Sequence, residues 1–153
     1  MADLSLTVER TFAVDRDTMW QLWTDEAHAS RWMRPSLTEY GPTRATIDAR
    51  VGGQYRFELM YGGTDMSVIA GEYLEVDEPD RLVYTWAWEG DPHVSRVEVR
   101  FDAVSDGTRV HILHTTLAST ESVEAHRDGW VGCLNTLAES YDSAASNQEM
   151  RST

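Results

Sequence analysis

At 153 residues and 17.3 kDa, the chain is the size of one domain and has no room for two independently packed cores. An apolar fraction of 41% and a charged fraction of 25%, with six Trp, six Tyr and three Phe, exclude disorder as the dominant state. Thirteen basic residues, all of them arginine, stand against 26 acidic ones for a formal charge of −13. That balance argues against a nucleic-acid partner, which needs a basic footprint for the phosphate backbone.

The acidic balance also disfavours anionic leaflets, and no apolar run approaches the roughly 20 residues that span a bilayer, so no membrane partner is expected. The first residues lack a basic start followed by an apolar run, so no secretory signal is expected. The lone Cys133 cannot form an internal disulfide, which fits a reducing compartment, and the expected location is the cytoplasm.

The segment Leu4 to Phe12 alternates, with Leu4, Leu6 and Val8 on one face and Ser5, Thr7 and Glu9 on the other, as a half-buried strand does. Asp15 is placed to cap a short helix carrying Met19, Trp20 and Trp23, and a second short helix follows from about Asp25 to Trp32, closed off by Pro35. Glycine and proline then divide a series of strands: Thr43 to Arg50, Tyr55 to Leu59, Met66 to Val76, Leu82 to Trp88, Val97 to Phe101 and Val110 to His114. Asp106-Gly107 reads as the turn of the last hairpin. From Ser122, a plausible cap, the period becomes helical through Val123, His126, Trp130, Cys133, Leu134, Leu137 and Tyr141. Gly129 and Gly132 inside this helix each cost roughly 1 kcal/mol of propensity, so a close backbone approach or a bend is expected there. The fold class is therefore α+β: an antiparallel sheet of six or seven strands with one face covered by a long C-terminal helix. The domain is placed at 1–145, with 146–153 as a flexible polar tail.

Four stretches carry a family resemblance. They are Arg10-Thr-Phe with Met19-Trp20 and Trp32 to Pro35; Gly52-Gly53-Gln-Tyr55; Gly71 to Val76 with Pro79 to Trp86; and Thr108 to His114 with His126 to Trp130. Together they resemble the family named after the activator of the heat-shock-protein-90 ATPase, within the START-like or SRPBCC superfamily, over residues 4 to about 141. The resemblance implies a helix-grip fold, in which a curved sheet grips the C-terminal helix and leaves an apolar cavity between them. Relatives bind apolar molecules in such a cavity, some are cyclases, hydrolases or isomerases, and many have no assigned activity. The eukaryotic co-chaperone carries an additional N-terminal domain that these residues do not resemble, so the resemblance carries no expectation of a direct chaperone role.

No HExxH or paired-cysteine spacing occurs, and His111 and His114 point to opposite faces of a strand, so neither a metal nor a cofactor is expected. Cys133 lies on the apolar stripe of the last helix as a small core residue. The expected ligand-binding wall is Trp32, Phe57, Leu59, Met66, Val68, Trp86, His114, Trp130 and Leu134. The leading expectation is binding of a small apolar or amphipathic molecule with no assigned catalysis. The first alternative is an enzyme of the polyketide cyclase or aromatase, hydrolase or isomerase type, with His114 as acid or base. A third is a protein-binding module, for which the aromatics of Leu82 to Trp88 are the pointer. That strand is apolar on both faces, so its second face also offers a homodimer contact.

Overall fold

Alternating apolar side chains build seven strands, and a change to helical period builds three helices. In chain order these are β1 (Leu6–Phe12), α1 (Arg16–Thr24), α2 (Glu26–Trp32), β2 (Arg44–Ile47), β3 (Gln54–Tyr61), β4 (Asp65–Asp77), β5 (Arg81–Trp88), β6 (Ser95–Val104), β7 (Gly107–Thr115) and α3 (Thr120–Ser152). The computed structural model describes the backbone of residues 4–152 and the side chains of residues 4–140. The side chains of the expected tail, 146–153, and of Tyr141 therefore lie outside the described residues, although α3 is drawn as far as Ser152.

The strands form one antiparallel sheet in the order β1-β7-β6-β5-β4-β3-β2, a meander whose last strand pairs with the first. Register decides which parity faces the helices. Phe57 is opposite Ile69, Tyr73 opposite Tyr84, Tyr84 opposite Val97, and His114 opposite both Val97 and Leu6. All of these are buried, with α1, α2 and α3 on the same side. Arg10 of β1 donates to the side-chain oxygen of Asn135, tying that edge of the sheet to α3.

The ambiguous strand β5 resolves in this register, since Leu82, Tyr84, Trp86 and Trp88 face inward. The aromatics that pointed to a protein-binding module are therefore wall and core residues. On the outer face Val83 is fully buried, and Arg81 two positions away forms ion pairs with Glu75 and Glu98, the cross-strand neighbours of Val83. Charged side chains thus cover what the sequence offered as a dimer patch. Met66 and Val68 also differ from expectation: they sit opposite Met60 and Glu58, on the parity that faces away from the helices. Met66 is 53% exposed.

Local chemistry sets the helix ends. The Asp15 carboxylate accepts from the Thr18 N–H at 2.8 Å. Asp25 closes α1 through its backbone N–H to the Gln21 carbonyl and opens α2 by accepting from the His28 N–H at 3.3 Å. At α3 the cap is Ser119, whose hydroxyl oxygen accepts from the Ser122 N–H at 3.0 Å, three residues before the position expected to cap. In the β6–β7 hairpin the turn residues are Ser105 and Asp106, because Val104 pairs with Gly107. Gly107 takes φ 142°, and a Cβ there would stand 2.0 Å from the Phe12 carbonyl oxygen, so β1 excludes any side chain at this corner.

The two glycines of α3 have opposite surroundings. A Cβ at Gly132 would lie 2.5 Å from the Pro35 carbonyl oxygen, so the segment after α2 packs directly on the helix backbone, as the propensity argument anticipated. A Cβ at Gly129 would meet nothing within 4 Å. Gly132→Ala is therefore expected to lower the unfolding free energy by about 1–3 kcal/mol through overpacking. Gly129→Ala is expected to raise it by up to about 1 kcal/mol through helix propensity. Guanidinium denaturation of both variants checks the contrast, and equal effects would remove the constraint assigned to Pro35.

Candidate functional site

The inner face is not completely filled. Between the sheet and α3 lies a partly enclosed cavity of about 230 Å³. Leu59, Ile69, Trp86 and Trp88 form the sheet wall, and Met33 and Pro35 close one side. The helix contributes Ala125, His126, Gly129, Trp130 and Cys133, a spacing that keeps all five on one face. The empty space beside Gly129 belongs to this cavity, because a glycine facing the sheet leaves room that any other residue would occupy.

Behind the wall runs a network of indoles and imidazoles. The Trp130 Nε1–H donates to His114 Nδ1 at 3.1 Å, so His114 carries its proton on Nε2 and donates to the Ser95 hydroxyl at 2.7 Å. The Ser95 hydroxyl in turn donates to the Trp86 carbonyl at 3.2 Å. The Trp88 Nε1–H donates to His126 Nε2 at 3.0 Å, which leaves His126 Nδ1–H to donate to the Ser122 carbonyl at 2.8 Å. Both links join the sheet to α3. The two imidazoles meet edge to face with ring centroids 5.0 Å apart, and Trp86 touches both of them as well as Trp88 and Trp130.

His114 is fully buried, and burial, with a smaller contribution from neighbouring His126, lowers its pKa to about 3. The ring is neutral at physiological pH, and both nitrogens are committed to protein partners, which is the arrangement of a satisfied core histidine. Burial pushes the Cys133 thiol up to about 12, so it contributes a small apolar surface and no thiolate. Among the described residues no group of three or more His, Cys, Asp or Glu side chains could hold a metal ion.

Of the nine wall residues expected from the sequence, Leu59, Trp86 and Trp130 line the cavity. Trp32, Phe57, His114 and Leu134 are buried in the adjoining core. Trp32 plugs the helix junction, with its indole N–H on the Leu22 carbonyl and its ring 4.6 Å from Trp23. Met66 and Val68 lie on the other face of the sheet, as described above. The rest of the lining, Met33, Pro35, Ile69, Trp88, Ala125, His126, Gly129 and Cys133, falls outside the wall expected from the sequence. The available signal for Pro35 was its place just after the end of α2, where a proline stops a helix.

The buried, neutral His114 makes stability depend on pH. Its folded pKa of about 3 lies below the unfolded value of 6.5, so its contribution is fully present above about 6.5 and is lost as pH falls toward 3. His114→Gln cannot titrate. The stability gap between the wild type and this variant should narrow by roughly 2 kcal/mol between pH 7 and pH 5, measured by urea denaturation at each pH. A constant gap would mean that the ring protonates freely in the folded protein.

Comparison with known proteins places this geometry in a family. Among solved structures, an AHSA1 protein from Silicibacter pomeroyi superposes with a TM-score of 0.80 at 24% identity, covering 92% of this chain and 99% of that one. A protein from Chromobacterium violaceum gives 0.79 at 20% identity, covering 88% and 95%. CalU16 from Micromonospora echinospora gives 0.64 at 27% identity, covering 87% and 73%. No curated protein matches the chain. The family model for Activator of Hsp90 ATPase homolog 1-like proteins matches residues 13–141, and with the seven-stranded sheet and gripping C-terminal helix it shows that the chain belongs to that family, of the START-like or SRPBCC fold.

Proposed function

We propose that the protein binds a small apolar or amphipathic molecule in the cavity between the sheet and α3, without catalytic turnover. The observation that carries this reading is the cavity itself: about 230 Å³, walled almost entirely by apolar and aromatic side chains. Drug-sized ligands occupy pockets of about 300–1,000 Å³, and an engineered dry cavity of about 150 Å³ holds benzene. The matching occupant is therefore a one- or two-ring compound or a short-chain equivalent. The reading without turnover is supported by His114, the acid–base candidate expected from the sequence, whose two nitrogens are held by Ser95 and Trp130. We place the protein in the cytoplasm on the strength of its single buried cysteine.

Native mass spectrometry of freshly purified protein tests the reading, since a retained ligand reports its own mass and the same spectrum reports the oligomeric state. A defined adduct that is lost on denaturation is expected. Gly129→Leu, which places a side chain in the empty space facing the sheet, should abolish the adduct while the protein stays folded by circular dichroism. An adduct that persists in this variant would locate binding elsewhere.

A further inference from the structure

The cavity has a floor and a rim. Leu59, Ile69 and Trp130 are buried and belong to the floor, whereas Trp88, Ala125 and His126 keep exposed surface and mark the rim. Of the side chains that line it, only Cys133 and His126 ionise, and the Cys133 thiol, pushed up to about 12, stays neutral. At the rim the Trp88 indole N–H of β5 donates to His126 Nε2 of α3 at 3.0 Å. The other ring nitrogen, Nδ1, lies 2.8 Å from the Ser122 carbonyl oxygen, which only accepts, so the proton of the neutral ring sits on Nδ1 and the lone pair on Nε2. An imidazolium carries a proton on both nitrogens and offers the Trp88 N–H nothing. The link across the rim therefore exists only while His126 is uncharged.

The surroundings of this ring make its charge sensitive to what fills the cavity. Facing it are Trp86 and Trp88 of β5, His114 of β7 and Ser122 of its own helix. Its other helical neighbours three and four positions away, Val123, Gly129 and Trp130, carry no charge. Among the described residues His126 takes part in no ion pair, so no carboxylate stands by to hold an imidazolium. The one titratable group facing it, His114, is fully buried and stays neutral through the range of about pH 5–8 in which histidines ordinarily change charge. His126 is half-buried and within reach of solvent, which can hydrate a charged ring. An apolar molecule seated against the ring takes that hydration away, and a charge buried without a partner is costly.

Building on the binding reading above, we propose that ligand binding is coupled to the proton on His126: the cavity holds an apolar ligand while the ring is neutral and linked to Trp88, and releases it when the ring takes up a proton. Two effects push in the same direction. Protonation removes the acceptor that ties β5 to α3 at the rim, and the ligand opposes the charge whose hydration it displaces. The coupling is reciprocal, so the factor by which a proton weakens the ligand is the factor by which the ligand weakens proton uptake. Affinity is then full where His126 is neutral and falls as the pH drops through its titration. His114 does not share in this response, because it remains neutral over the same range.

The test uses indane, a two-ring probe with no titratable group, and measures its affinity by calorimetry at pH 8 and pH 5.5 for the wild type and for His126→Gln. The Gln side chain can still accept from Trp88 but cannot titrate. Wild-type affinity should fall roughly fivefold to tenfold at the lower pH, and that of the variant should stay level. In 15N-labelled wild-type protein without probe, acidification should move the Trp88 indole proton upfield as its acceptor is lost, while the Trp130 indole proton, held by neutral His114, stays in place. This second readout needs neither the variant nor the probe. Wild-type affinity that does not weaken in acid, or the same weakening in His126→Gln, would overturn the coupling and leave the cavity as a binding site. A Trp88 proton that does not move would overturn the role given to its hydrogen bond. No binding of indane at pH 8 would overturn both readings.

Discussion

A neutral imidazole in a dry core holds the sheet to its helix. His114 stands on β7, accepts from Trp130 on α3 and donates to Ser95 on β6, so one ring connects three elements at the centre of the molecule. The arrangement works only while the ring is uncharged, because an imidazolium has no lone pair for the Trp130 N–H and would be buried without a counter-ion. Burial enforces the neutral form, and the neutral form keeps the hydrogen bonds. A second imidazole, His126, gives a further link nearer the start of α3, accepting from the Trp88 indole N–H of β5. Together the two links set how far α3 can approach the sheet, and so they set the height of the cavity.

The cavity is what remains when two packing constraints meet. At Gly132 the backbone of α3 is pressed against Pro35, which fixes one end of the helix face. One turn earlier, at Gly129, there is no side chain and no neighbour to compensate. A helix held at both the Pro35 contact and the imidazole links cannot collapse into the gap, so the void persists despite the tendency of interiors to close-pack. The aromatic wall gives that void stiff boundaries: Trp86 touches Trp88, Trp130 and both imidazoles, leaving none of these rings free to swing inward.

Much of this was legible in the sequence, and the failures have a common physical origin. Period and punctuation located the strands and helices, because alternation, glycine turns and Asp caps act locally. Parity was legible where one face was clearly polar, as in β1 and β6. It failed at Met66 and Val68 because the true inward set of β4 contains Ser67 and Gly71, which left the outward Met66 and Val68 as the more apolar parity. Only pairing with Tyr55, Phe57 and Leu59 decides between the two, and pairing is not a local property. In β5 both parities were apolar, since Val83 is buried on the outer face beneath paired charges. The hydrogen-bond roles of His114, His126 and the three tryptophans were not legible at all, because they depend on angstrom-level placement of residues on β5, β6, β7 and α3.

The closing strand pair has a kinetic consequence. Leu6 of β1 lies opposite His114 of β7, so the contact that completes the sheet joins residues more than a hundred positions apart, while every other ladder links consecutive strands. Closing so long a loop costs entropy before any favourable contact is made, and long-range pairing of this kind slows folding. A ribosome-bound chain can form the β2–β7 meander early, but β1 has no partner until β7 has emerged. The ordered wall around the cavity must wait longer still, for α3. The enclosed cavity is thus the last feature the chain completes during synthesis, and the first to be lost if either end of the sequence is cut back into β1 or α3.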